Sequence, residues 1–180
     1  KQEPSGFDYY CVLPGNGLYN NPIMKTKENW KDYNKGGKIY EGFSGDIIAD
    51  KTINWIENRD KSKPFISFCH FKATHEPYDY PERFSHLYRN ETIPEPTSLY
   101  DNGPNTTGRS LIGQSIDSLG NRYVFSTNNP DKRSDYMQYP ELPFSIDGLS
   151  KKEARSKVYQ KFVKDFMRCG AAIDDNIGKL

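Results

Sequence analysis

Apolar positions along the chain gather into two helical stripes and one unbroken run, with long polar, turn-rich stretches between them. The first stripe begins at Ser44. Ile48, Ala49, Ile53 and Ile56 fall on one face, Ser44 suits a cap and Asp46 suits the positive end of a first turn, so a helix is predicted from Ser44 to between Asn58 and Ser62, before Pro64. The unbroken run is Phe65 to Phe71, a set of strand formers that suits a strand buried on both faces, as in a parallel sheet covered by helices. The second stripe follows Ser150-Lys151-Lys152-Glu153, a capping box, and repeats through Ala154, Val158, Phe162, Phe166, Cys169, Ile173, Ile177 and Leu180. Gly170 is the point where that helix is expected to bend or divide. Helix, turn, strand and turn make half of a βαβ unit, which puts the chain in the α/β class.

Residues 1–43 carry turn signals at Pro14-Gly15-Asn16-Gly17, Asn21-Pro22 and Lys35-Gly36-Gly37-Lys38, with short strands expected at Tyr9 to Leu13 and Lys38 to Tyr40. Nine of the twelve prolines lie between Pro64 and Pro143, so residues 77–149 read as a long irregular covering loop or insertion. Its rings, Tyr78, Tyr80, Phe84, Tyr88, Tyr100, Tyr123, Phe125, Tyr136, Tyr139 and Phe144, argue for a pinned segment instead of a disordered one. One or two helical turns are expected between Pro81 and Tyr88.

With 25 Lys+Arg against 24 Asp+Glu the net charge is +1, and an overall basic excess that would hold nucleic-acid phosphates is missing. At 34% hydrophobic and 14% aromatic residues, much of the burial must come from rings. No apolar run reaches the roughly 18 residues a membrane helix needs, so no membrane span is expected. Cys11, Cys69 and Cys169 are compatible with one disulfide and a free thiol, although three buried thiols are the expected state. Lys1 opens a polar tract with neither a Met start nor a secretory pattern, and Leu180 falls inside the second helical stripe. The expectation is an internal part of a single domain over 1–180, truncated at both ends.

Three histidines limit the acid–base candidates. His70 sits inside the apolar run and is expected to be a hydrogen-bonded core residue; His86 is expected in solvent. His75 follows the predicted strand by a few residues, with Lys72 three positions before it, on the sheet edge where ligands of open α/β folds collect. A histidine and a lysine there suit protonation of a leaving oxygen beside an anionic ester, against the alternative of a structural hydrogen-bonder in a Pro-flanked turn. Asp174-Asp175 is expected to be a helix face, with Asp175 solvated and Asp174 bonding a neighbouring loop, because a calcium site draws about six oxygens from several segments. Asn90-Glu91-Thr92 and Asn105-Thr106-Thr107 match the N-glycosylation pattern, which matters only in a secreted eukaryotic chain.

Several blocks, in order, resemble the middle of type I sulfatases: Gly6-Phe7-Asp8-Tyr9-Tyr10, Leu13-Pro14-Gly15-Asn16-Gly17, Tyr19-Asn20-Asn21-Pro22 and Asp46-Ile47-Ile48-Ala49-Asp50-Lys51. Phe71-Lys72-Ala73-Thr74-His75-Glu76-Pro77, Ile93-Pro94-Glu95-Pro96 and Ala172-Ile173-Asp174-Asp175-Asn176-Ile177-Gly178 continue the likeness, which is closest to bacterial members acting on sulfated sugars.

The resemblance implies an alkaline-phosphatase-like α/β domain with helices on a mostly parallel sheet, a sulfuric ester hydrolase with a sulfated carbohydrate as partner, and export to the periplasm or beyond. It implies a formylglycine nucleophile made from Cys-x-Pro-Ser-Arg and a bound Ca2+. His75 matches the family's active-site histidine, and Lys72 is a possible substrate contact. None of Cys11, Cys69 and Cys169 precedes x-Pro-Ser-Arg, and the family's early aspartate pair, its Gly-Lys-x-His block and its Asp-Asn-Gly segment are absent; Thr74 stands where proline is commoner. Residues 1–180 alone are therefore expected to be inactive, with nucleophile and calcium ligands elsewhere. The alternatives are a phosphoester or phosphonate hydrolase of the same superfamily and a noncatalytic carbohydrate-binding module.

Overall fold

The computed structural model describes residues 2–100, 115–132 and 138–180, so the glycosylation pattern at Asn105 and the ring of Tyr136 lie outside the described residues. The chain divides into one unit of Lys1–Glu76 with Cys169–Leu180 and another of Pro77–Arg168.

In the first unit three short strands, β1 (Cys11–Val12), β2 (Ile23–Thr26) and β3 (Lys38–Ile39), form a sheet in the order β1-β2-β3. Both pairings are antiparallel, with Cys11 opposite Thr26 and Ile23 opposite Ile39. The mostly parallel sheet expected from sequence is therefore not the ladder found among the described residues. Connections this short allow a reversal of direction, whereas a parallel neighbour needs a long crossover. Gly36 turns the β2–β3 connection at φ +84°, where a Cβ would lie 2.3 Å from the Asn29 carbonyl oxygen.

β2 was hidden in the sequence by Lys25, which is 2% exposed. Its ammonium donates to the carbonyls of Asp32, Tyr33 (2.9 Å) and Lys35 (2.8 Å) and lies 5.0 Å from the centre of the Trp30 ring. A buried lysine here ties down the loop it faces. Lys25→Met is expected to destabilise the first unit by about 2 kcal/mol, the usual scale for hydrogen bonds from a charged group. Chemical denaturation of the protein measures this, and an unchanged midpoint would show that water replaces the ammonium at no cost.

The first predicted helix is present as α1 (Ser44–Asn58), with Ser44, Gly45, Ile48 and Ala49 buried. Its start corrects the expectation: Phe43 is the N-cap residue, and no side chain caps the helix. Ser44 is already helical and donates its N–H to the Tyr19 carbonyl (2.7 Å), so a backbone group from another segment satisfies that donor.

Phe65–Phe71 forms no assigned strand among the described residues, and Phe65, Ile66 and Phe68 are 43%, 80% and 66% exposed. The expected doubly buried strand is corrected accordingly. The run has the composition of an interior strand, but composition cannot supply the hydrogen-bonded neighbours that define one. His70 is likewise exposed, against the expected core histidine, with its ring edge-to-face to Phe68 at 5.9 Å. Only Cys169 of the cysteines is buried; Cys11 and Cys69 are half-buried, and all three are free thiols.

In the second unit residues 77–149 are not irregular throughout. α2 (Ile116–Asn128) starts at Ser115, whose hydroxyl accepts from the Ser118 N–H at 3.2 Å. The sequence analysis gave no helix here, because residues 116–128 carry no strong apolar face. Single 3-10 turns form at Glu82–Phe84, Thr97–Tyr100 and Pro130–Lys132. Tyr123, Tyr139, Phe144 and Val158 make the core of this unit, with the Tyr139 and Phe144 rings edge-on to Tyr123 at 4.8 and 5.2 Å. These rings do the pinning that the aromatic content implied. At Gly120 the helices come so close that a Cβ would lie 2.8 Å from Val158 Cγ2.

α3 (Lys151–Lys179) begins with the predicted capping box: Glu153 accepts from the Ser150 N–H at 2.8 Å, and Ser150 Oγ accepts from the Glu153 N–H at 3.4 Å. The helix continues through Gly170 without a break. Its predicted stripe is only partly buried, since Phe166 and Ile177 are exposed while Arg155, Asp165, Arg168 and Asn176 are buried beside Val158, Cys169 and Ala172. Among the described residues no helix is long and apolar enough to cross a membrane.

Candidate active site

The site lies in the first unit, where the chain leaves the apolar run and turns at Lys72–His75. The His75 N–H donates to the Lys72 carbonyl at 3.1 Å, closing the turn and bringing two candidates predicted from sequence into one turn, although not at the edge of a sheet as expected, since the preceding run forms no assigned strand among the described residues. Both line a cavity of about 810 Å³, whose walls also include Asn16, Tyr10, Trp55 and Phe68. The volume suits a sugar-sized ligand, and the aromatic walls suit a ring face.

The His75 imidazole is exposed. Its Nδ1 lies 2.8 Å from the Glu76 carbonyl oxygen, which can only accept, so Nδ1 carries a proton. Nε2 is then the ring nitrogen left to meet a ligand. The Asn16 amide nitrogen lies 3.4 Å from Nε2. An exposed imidazole on the wall of a cavity, with the Glu76 carbonyl at Nδ1 and the Asn16 amide at Nε2, is placed as a candidate general acid or base.

Lys72 differs in being 9% exposed, and its ammonium has no hydrogen-bond partner among the described residues. Burial pulls its pKa below the ordinary lysine value. Its nearest aromatic neighbour is Tyr19, whose ring centre is 4.8 Å from Nζ. A buried cation without a hydrogen-bonded counter-charge lowers the cost of an anion arriving beside it. Cys11, which lines the same cavity, has its thiol pKa raised by burial and stays protonated at neutral pH, so it is not an activated nucleophile.

Sequence reasoning read Asn16 only as part of a turn and of a family block, and Tyr19 only as part of a block. Tyr19 is 4% exposed, stacks on Phe43 at 5.8 Å, and donates its hydroxyl to the His75 carbonyl at 2.6 Å. Cys169 Sγ lies 3.4 Å from the same hydroxyl. The expectation for Asp174-Asp175 needs revision. Asp175 pairs with Lys179 at 3.2 Å and Asp174 is exposed; the neighbour that reaches across is Asn176, which donates to Asp46 Oδ1 at 2.8 Å. His86 is exposed, as expected, and does not line this cavity.

Comparison with known proteins agrees with this order of elements. The Sulfatase family model matches residues 1–180. An N-acetylglucosamine-6-O-sulfatase of Bacteroides thetaiotaomicron is 30% identical over 207 aligned positions, covering 99% of this chain and 36% of the relative. An arylsulfatase of Clostridium perfringens is 35% identical over 49 positions, 27% of this chain and 10% of that protein. The solved structure of BT4656 in complex with its substrate D-glucosamine-2-N,6-O-disulfate superposes with a TM-score of 0.79 at 27% identity, over 99% of this chain and 40% of that one. This chain thus spans between a third and two fifths of the length of the curated protein matched nearly throughout and of the solved chain. Such a match over all 180 residues, with the α/β order of elements, means that the chain belongs to the sulfatase family.

Proposed function

We propose that this chain is part of a sulfuric ester hydrolase acting on a sulfated amino sugar, in which His75 protonates the departing alcohol. The observation that carries the reading is the His75 imidazole itself, exposed on the cavity wall and fixed through Nδ1, with only the Asn16 amide, at 3.4 Å, beside Nε2 among the described residues. As the S–O bond to the sugar breaks, the electron pair stays on the sugar oxygen and the Nε2 proton goes to it, giving the neutral alcohol, while the sulfur would bond to a nucleophile supplied from outside residues 1–180. The buried Lys72 ammonium supplies positive charge on the same wall, where it attracts a sulfate group. The matches support the choice of substrate: the curated one is named an N-acetylglucosamine-6-O-sulfatase, and the solved structure holds a disulfated glucosamine.

The family resemblance also implies Ca2+ and a formylglycine nucleophile. Among the described residues no three His, Cys, Asp or Glu side chains gather into a metal site. In this proposal both groups come from polypeptide outside residues 1–180, in an enzyme exported to where sulfated polysaccharide is met.

Incubating the complete enzyme with a 6-O-sulfated glucosamine and measuring inorganic sulfate by ion chromatography tests the proposal. Sulfate release is expected. Turnover of a phosphate monoester or phosphonate without sulfate release would transfer the reading to phosphoryl chemistry, and sugar binding without hydrolysis would make the cavity a carbohydrate-binding site only.

A further inference from the structure

We infer that Tyr19 is a positioning residue for the acid, holding the His75 backbone and the Lys72 ammonium with opposite parts of one side chain. This rests on the reading of His75 as the acid that protonates the sugar oxygen.

Tyr19 is fixed from both sides before it touches either group. Its carbonyl accepts from the Ser44 N–H at 2.7 Å, which fastens its backbone to the start of α1. Its ring stacks on Phe43 at 5.8 Å with an interplanar angle of 18°. From that mounting the hydroxyl donates to the His75 carbonyl at 2.6 Å, while the ring centre lies 4.8 Å from Lys72 Nζ. Lys72 and His75 are themselves joined by the His75 N–H to Lys72 carbonyl bond. One rigid, buried aromatic therefore holds the Lys72–His75 turn at two points, and with it the place where Nε2 meets the departing oxygen.

The hydroxyl is the separable part. Tyr19→Phe keeps the stack and the ring beneath Lys72 but removes the donor to the His75 carbonyl. A proton donor that is misplaced by a fraction of an ångström loses rate without losing substrate. The loss falls on poor leaving groups, which need the proton, more than on good ones, which do not.

The test uses the complete enzyme with two substrates, a sugar 6-sulfate and 4-nitrophenyl sulfate. For Tyr19→Phe, kcat on the sugar sulfate is expected to fall about 10-fold with KM nearly unchanged, while the nitrophenyl ester loses less than about 3-fold. In a His75→Ala background the same change is expected to cost nothing further. Equal losses on both substrates, or a second loss added to that of His75→Ala, would overturn the role of Tyr19 while leaving His75 as the acid. If His75→Ala itself hits both substrates equally, the acid reading fails, and this inference with it. Should Tyr19→Phe prove unstable, Phe43→Leu, which disturbs the mounting but keeps the hydroxyl, is expected to give the same leaving-group dependence in weaker form, and equal losses on the two esters would again count against the role.

Discussion

His75→Ala in the complete enzyme is expected to lower turnover of a sugar sulfate by about 10²-fold or more, the usual worth of a positioned general acid. The drop belongs in kcat, because the imidazole acts on an oxygen that becomes basic only as its bond to sulfur breaks. The side chain is exposed, so removing it is expected to leave stability within about 0.5 kcal/mol of the original. Lost rate can therefore be read as lost chemistry. An ester of a phenol with a low pKa leaves without protonation, and there the loss is expected to shrink. Steady-state sulfate release from both kinds of ester, together with a melting curve for the variant, makes the measurement. Unchanged release from the sugar ester would remove His75 from the reaction and return it to the role of a turn residue bonded to Glu76.

The turn that carries His75 was legible because its chemistry is local. A histidine three residues after a lysine, just beyond an apolar run, needs only the chain's own direction to share one turn with it, and the His75 N–H to Lys72 carbonyl bond is a contact of that range. What holds the turn was not legible. Tyr19 lies 56 residues from His75, and Asn16 lies 59 residues away, so their contacts depend on the packing of α1 and the N-terminal loops.

Helices obeyed the same division. Period marked α1, and capping with period marked α3, but α2 offered only a weak apolar face around Gly120, whose use is the close approach of Val158. Period also misassigned the buried face of α3, because it counts apolar residues and the structure buries Arg155, Asp165, Arg168 and Asn176 with their partners. β2 was missed for a similar reason: a lysine in a short apolar stretch reads as solvent-facing, yet Lys25 is buried against three carbonyls. For Phe65–Phe71 the pattern was clear and the partner was not. Side chains specify that a segment wants burial, while a strand exists only where another backbone offers its N–H and C=O groups.

Arg168→Met is expected to cost the second unit about 3–5 kcal/mol at neutral pH, the range for breaking one side of a buried charge cluster. The guanidinium is 3% exposed and donates to the Leu87 carbonyl at 2.9 Å, to the Tyr80 hydroxyl at 2.9 Å and to Asp165 at 3.3 Å, with Glu141 at 3.0 Å. Methionine replaces the stem but strands these partners. Asp165 decides how the cost varies with pH. Burial pushes its carboxyl up to about 6 from an ordinary value of 3.8, against the pull of Lys161 at 2.7 Å. A carboxyl raised in the folded state stabilises the fold most below its unfolded value, and that contribution fades as pH climbs through the window from 3.8 to about 6. Without Arg168 the carboxylate loses a counter-charge, its proton is held to higher pH, and the fading window extends upward. The stability difference between the two proteins is therefore expected to be larger at pH 8 than at pH 5, where a protonated Asp165 has less need of the guanidinium. Denaturant unfolding of both at the two pH values, followed through the tyrosines of the second unit, measures it. A difference that stays flat with pH would mean that the loss lies in the Leu87 and Tyr80 hydrogen bonds alone, and that Asp165 takes no part in how Arg168 stabilises this unit.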